Sequence, residues 1–213
     1  MNMAIKLVLL LMFSPTPASA QEVRPETCSY EVYNWNIHKK RAVNFGKIKH
    51  PYSELKAEEK DPSSGCTVCI EDQELVELDG IKPFYVCRKL STAVRTALEK
   101  LLAAGEPVLE VEAYRPGRTK NPLGRDGDRL GFSNHAYGAA VDINRSRNGL
   151  YDKCPKFGPG CRLIQGGPWR SGTKGALTRD CGIVSGMKKA GFKWGGEIEG
   201  AQKDFMHFSL GGY

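Results

Sequence analysis

The sequence predicts an α+β fold, an antiparallel sheet flanked by helices, and three observations carry it. A helix over residues 87–104 precedes a set of strands, a second helix lies around residues 180–191, and a final strand closes the chain. In the first helix Leu90, Val94, Ala97, Leu98, Leu101 and Leu102 share one face, and Gly105 ends it. Val108 to Tyr114 alternates apolar and acidic residues, as a half-buried strand does. Ala139 to Asn144 is a short strand with Val141 and Ile143 on one side and Asp142 and Asn144 on the other. Phe205 to Leu210 reads as the last strand. Residues 116–132, with Gly117, Gly124, Gly127 and Gly131, read as a long loop, and loops of that length are often functional. The second helix stops at Gly191.

The chain divides into three segments. Residues 1–20 have the order of an export signal: Lys6, the apolar run Leu7–Phe13, then the small residues Ala18-Ser19-Ala20. That run is shorter than the ~20 apolar residues a membrane span needs. The expected product begins near Gln21, is periplasmic or secreted, and has no stable membrane anchor. Residues 21–107 read as an N-terminal extension plus the first core helix, packed on the rest. Residues 21–84 within it look polar and irregular, with Tyr30, Tyr33 and Trp35 as anchors. Residues 108–213 form the core. With 213 residues and 40% hydrophobic content, one folded domain is expected, and a monomer.

Thirty-one Lys and Arg against 24 Asp and Glu leave a formal charge of +7, which suits an anionic wall or membrane surface or serves solubility alone, and charge does not decide between these. No basic stripe with interleaved aromatics is evident in the linear sequence, and no nucleic-acid motif, so nucleic acid is not expected. All seven cysteines lie beyond residue 20, and in an oxidising compartment most should pair. Cys154 and Cys161 bracket a short Gly/Pro loop and form one expected bridge. Cys28, Cys66, Cys69 and Cys87 are expected to form two more, with connectivity left open. Cys66-x-x-Cys69 follows a turn-rich stretch instead of opening a helix, which favours a structural role over a redox or metal one. Cys181 is expected to be the odd one, buried in the second helix.

Chemistry concentrates in two motifs. The first is Ser133-x-His135-x-x-Gly138-x-Ala140-x-Asp142, and the second is Asp204-x-x-His207. A catalytic zinc usually takes three protein ligands from imidazole nitrogen and carboxylate oxygen, plus water. His135, Asp142 and His207 meet that count. Adjacent strands would present Asp142 and His207 to one point, and a turn at Gly138 would return the His135 ring to it. Asp204 is a spare acid near the expected metal, suited to moving protons as a general base. Arg115, at a strand end, is a candidate for steadying an oxyanion, with pairing to Glu110 or Glu112 as the bland alternative. His38 and His50 lack such context and read as surface or structural residues.

These motifs resemble the zinc D-alanyl-D-alanine carboxypeptidases and L-alanyl-D-glutamate endopeptidases. The resemblance covers roughly residues 108–210 and includes Tyr114-Arg115, SNHAYGAAVDIN at 133–144, GFKWGG at 191–196 and DFMHF at 204–208. It implies a Hedgehog/DD-peptidase-like fold carrying a disulfide-stabilised N-terminal extension, and Zn2+ on His135, Asp142 and His207. It also implies Asp204 as general base, Arg115 as a substrate or transition-state contact, and peptidoglycan peptides as partners. An aspartate at 204 resembles the L-alanyl-D-glutamate branch. The chain departs from the family's pattern at Ala139, in Glu197-Ile198-Glu199 after the Gly-Gly pair, and in the loop after Arg115. The rival to an enzyme is a non-catalytic zinc-binding or wall-recognition module on the same fold.

Overall fold

In the computed structural model, which describes residues 25–212, the segment before the first helix is strand-rich, not irregular. β1 (Thr27–Asn36) and β2 (Arg41–Pro51) form a long antiparallel hairpin. Its turn is held by Asn36 Oδ1, which accepts from the His38 and Lys39 amides at 3.0 and 2.8 Å. A bulge at Asn44, with φ of 53°, interrupts the alternation of β2. That interruption, together with a polar β2, hides the strand from a periodicity reading. β3 (Gln73–Leu78) and β4 (Ile81–Cys87) form a second hairpin around Asp79-Gly80, with Gly80 at φ +76°. Of the expected anchors, Tyr30 is buried, but Trp35 is 36% exposed.

Two disulfides staple these hairpins, Cys28–Cys69 and Cys66–Cys87. The two cysteines of the C-x-x-C therefore bond to different partners. The third bridge, Cys154–Cys161, is the one expected from the loop. Cys181 is free, but it stands at the N-cap position of the second helix at intermediate exposure and is not buried within it.

α1 (Arg88–Ala103) buries Val94, Ala97, Leu98 and Leu101, the face its sequence marks as apolar. Gly105, at φ +75°, ends it while the Glu106 amide bonds the Leu101 carbonyl at 3.0 Å. Regular pairing in the next strand, β5 (Val111–Glu112), is shorter than the expected 108–114. The expected loop at 116–132 is largely a hairpin of β6 (Arg118–Leu123) and β7 (Arg129–Phe132). Its glycines serve the hairpin: the Gly131 Cα lies too close to the Asn121 carbonyl for a side chain. β6 adds to β1, giving the sheet order β2-β1-β6-β7.

The remaining elements are β8 (Ala140–Ile143), β9 (Leu150–Asp152), β10 (Arg162–Gln165), α2 (Gly182–Lys189), β11 (Lys193–Trp194), β12 (Lys203–Asp204) and β13 (His207–Ser209). The central sheet runs β11-β13-β8-β5, antiparallel throughout. Val141, Ile143 and Phe208 on it pack with Val94 and Leu98 of α1 and Ile183, Val184 and Met187 of α2 in one buried cluster. Strand alternation then sends the neighbouring Asp142 and His207 to the opposite face. The fold is thus mixed α and β, with antiparallel sheets and two α-helices. No helix among the described residues is long and apolar enough to cross a membrane. The export-signal reading of residues 1–20 lies outside the described residues.

Candidate metal centre

β8 and β13 pair in a register that sets His207 directly opposite Asp142. Side chains of directly opposed residues share a face and stand close together. His135 reaches the same point from a 3-10 turn over Asn134–Tyr137. Ser133 caps that turn, its Oγ accepting from the Ala136 amide at 3.3 Å. Gly138 ends it at φ +62°, and a Cβ there would lie 2.5 Å from the Cys87 backbone nitrogen. Glycine is therefore required at 138 both by conformation and by the close approach of β4.

All three side chains are buried and their atoms form a nearly equilateral triangle. His135 Nε2 lies 3.0 Å from Asp142 Oδ1 and 3.1 Å from His207 Nδ1, and His207 Nδ1 lies 3.2 Å from Asp142 Oδ1. The chemistry of this triangle is decided at His135. Its Nδ1 is 2.7 Å from the Ala113 carbonyl, which only accepts, so Nδ1 carries a proton. Burial holds the imidazole below its ordinary pKa, so the ring is neutral and Nε2 presents a lone pair. Burial alone would raise the Asp142 carboxyl, but its neighbours, with the Arg115 guanidinium 2.7 Å from Oδ2 among them, outweigh it and hold the group well below the usual carboxylate range. A neutral imidazole lone pair thus faces an ionised oxygen, an arrangement that a cation between them satisfies. A tetrahedral ion about 2.1 Å from each ligand separates ligand atoms by roughly 3.4 Å, close to the observed edges. The residues present therefore fit a metal ion.

Arg115 sits behind the triangle. One guanidinium nitrogen donates to Asp142 Oδ2 at 2.7 Å and the other to Glu112 Oε2 at 3.0 Å. Asp142 thus divides its oxygens, Oδ1 toward the histidines and Oδ2 toward Arg115. The Arg115 amide also donates to the His135 carbonyl at 3.0 Å, tying the strand end to the turn. Glu112 is the register partner of Asp142 and also accepts from Arg145 at 3.3 Å. Sequence reasoning found Arg115 but missed its simultaneous hold on Asp142. It also missed the Ala113 carbonyl, since a backbone acceptor leaves no residue-type signal.

Asp204 is buried on β12, three residues before His207, in a different sheet from β13. Gly195 packs on it, with room for no side chain: a Cβ at 195 would lie 3.0 Å from Asp204 Cβ. Among the described residues the converging metal-type group is His135, Asp142 and His207, and Asp204 is not part of it. A groove of about 780 Å³ opens beside His207, lined among others by Lys193, Trp194, Gly195, Glu197 and Ser209. His38 and His50 lie apart from this site; His50 pairs with the buried Glu59 at 3.0 Å.

Fold and site together define a class: an α+β protein with a buried His–Asp–His cluster that could hold a metal ion. Within that class, residues 126–210 match the family of D-alanyl-D-alanine carboxypeptidases. The matched segment is thus similar to a peptidase family, the one the two motifs resemble. It contains His135, Asp142, Asp204 and His207, while Arg115 and the Ala113 carbonyl lie upstream of it. No solved structure matches the chain.

Proposed function

We propose that this protein is a zinc-dependent peptidase that hydrolyses peptidoglycan stem peptides, of the D-Ala-D-Ala carboxypeptidase or L-Ala-D-Glu endopeptidase type. The convergence of His135 Nε2, Asp142 Oδ1 and His207 Nδ1 within 3.0–3.2 Å is the observation that carries the reading. These three atoms would hold the ion. A bound zinc would polarise the scissile carbonyl and bring the pKa of water to about 7.

The chain's own groups supply the rest. Asp204 takes the proton released by the attacking water and delivers it to the leaving amine. Arg115 fixes the orientation of Asp142 and, as a cation at the site, steadies charge developing on the substrate. The groove beside His207 receives the peptide. Lys193, which lines it and makes no ion pair among the described residues, meets a carboxylate of the substrate. The three disulfides suit an oxidising compartment, and the proposed location is periplasmic or secreted.

The test uses the oxidised protein. Its zinc content is measured and it is incubated with soluble muropeptides, with products read by mass. About one zinc per chain is expected, because one three-ligand set is present. Asp204→Ala should retain the metal and lose about 10²- to 10⁴-fold in cleavage, the usual worth of general acid–base catalysis. A wild type that takes up no metal would overturn the reading. Full activity in Asp204→Ala would remove Asp204 from its role. Zinc binding without any cleavage would leave the non-catalytic module. Product masses separate release of D-Ala from cleavage between L-Ala and D-Glu.

A further inference from the structure

Strand pairing creates a surface that the linear sequence conceals. On β1, Cys28 and Tyr30 face the protein interior and are buried, so Glu31, Tyr33 and Trp35 share the opposite face, with Glu31 and Trp35 exposed and Tyr33 half-buried over Gly117. The register sets Lys47 opposite Glu31 and Lys49 opposite Ser29. The Phe45 ring lies 5.9 Å from that of Tyr33. The outward face of the β1–β2 ribbon thus interleaves three aromatic rings with two lysines, of which Lys47 makes an exposed ion pair with Glu31 at 3.1 Å. Phe45 is 75% exposed and Trp35 36%. Lys39, Lys40 and Arg41 extend the basic surface through the exposed end of the hairpin.

Charge is segregated in the same place. The segments 27–51 and 118–132, which build the sheet β2-β1-β6-β7, carry nine Lys and Arg against three Asp and Glu. That is a formal +6 of the chain's +7, so everything outside this sheet nets only +1. Solubility alone gives no reason to concentrate the excess on one sheet; recognition of an anionic partner does.

We propose that the outward face of β1–β2 is an exosite that binds the anionic glycan–peptide strand of peptidoglycan, apart from the cleavage centre. The choice of the wall polymer as partner rests on the peptidase reading above. Flat aromatic rings stack on the apolar faces of sugar rings, and lysines meet the carboxylates that stem peptides repeat along the strand. Strands of 10 and 11 residues give a platform of roughly 33 Å, suited to a linear polymer. Its position also fits delivery. Tyr33 packs across Gly117, where a Cβ would lie 2.6 Å from its hydroxyl, and Gly117 is two residues beyond Arg115. None of the three converging residues lies on β1 or β2, and neither strand falls in the segment matched by the family.

The experiment compares the oxidised wild type with Lys47→Glu/Lys49→Glu and with Trp35→Ala/Phe45→Ala. Co-sedimentation with purified insoluble peptidoglycan is measured at low and high salt, alongside cleavage of a soluble muropeptide and thermal melting. Each variant is expected to melt like the wild type, to cleave the soluble muropeptide at an unchanged kcat/KM, and to bind the insoluble polymer at least about tenfold more weakly, a 1.4 kcal/mol effect. Wild-type binding should weaken as salt rises. Wild-type-like sedimentation by both variants would overturn the exosite. So would a loss seen only with vesicles of anionic phospholipid, which would make the face a membrane contact. If the wild type sediments and the variants do not, while no form cleaves muropeptides, the exosite stands and the peptidase reading falls.

Discussion

His135 shows how a single proton placement determines what a site can do. Its hydrogen bond to the Ala113 carbonyl, 2.7 Å long, fixes the tautomer and aims a lone pair at Asp142 and His207. Arg115 does the matching work on the carboxylate, holding Oδ2 so that Oδ1 points inward. Such outer partners typically contribute 10- to 100-fold in metal affinity. Arg115→Gln is therefore expected to weaken zinc binding by about that factor, measured by competition with a chelator, while the protein stays folded. An unchanged affinity would show that Asp142 needs no such hold. At this scale the sequence was readable where residue type carries the information. Two histidines and an aspartate announce a metal set by their chemistry, whereas the Ala113 carbonyl belongs to a backbone that every residue shares.

The elements hold these residues by means that sequence shows only in part. The turn carrying His135 ends at Gly138, whose carbonyl accepts from the Cys87 amide at 3.0 Å. Cys87 in turn is bridged to Cys66 across 21 residues. The bridge thus backs the turn that presents His135. Cys66→Ser/Cys87→Ser is expected to lower stability by about 3 kcal/mol in denaturant unfolding, the loop-closure value for a loop of this size. It should also weaken zinc binding.

A second device ties β2 to the turn after it. Glu59 is buried and accepts from Tyr30 Oη at 2.6 Å, from the Lys56 amide at 2.7 Å and from His50 at 3.0 Å. Burial pushes the Glu59 carboxyl up, but these bonds outweigh it and leave its pKa lowered. The Pro51 carbonyl and Glu59 raise that of His50. A lowered carboxylate stabilises fully above its ordinary value of 4.5 and less as pH falls through its folded value. A raised histidine stabilises fully below its ordinary 6.5 and less as pH rises through its folded value. The pair therefore contributes most between 4.5 and 6.5. The gap in melting temperature between wild type and His50→Gln should be widest there and narrow on either side. A gap independent of pH would show that the ion pair does not form.

For the whole molecule, the metal centre depends on parts outside the segment that carries its motifs. Residues 126–210 contain the three converging residues, yet β5, α1, Arg115 and the Ala113 carbonyl all precede them. The buried cluster beneath the central sheet draws Val94, Leu98 and Leu101 from α1 and Val76 and Val86 from the β3–β4 hairpin. A fragment of residues 126–210 is therefore expected to be unfolded by far-ultraviolet circular dichroism and to bind zinc weakly. A folded fragment with full zinc affinity would show the N-terminal part to be dispensable for the site.

By itself the sequence determined what depends on residue type and short-range order. The first helix follows from its apolar stripe, the short bridge from two cysteines around a Gly/Pro loop, and the candidate metal-binding set from the donor atoms of its side chains. Only the tertiary structure decided where those donors meet. His135 and His207 are 72 residues apart and Asp142 and His207 are 65 apart, so their convergence rests on the β8–β13 register and on one tight turn. The β1–β2 ribbon follows the same logic, because its aromatics and lysines become neighbours only when two strands pair. Local periodicity comes from the repeat of a single backbone segment. Long-range register comes from the packing of many segments at once, and no single stretch of sequence contains it.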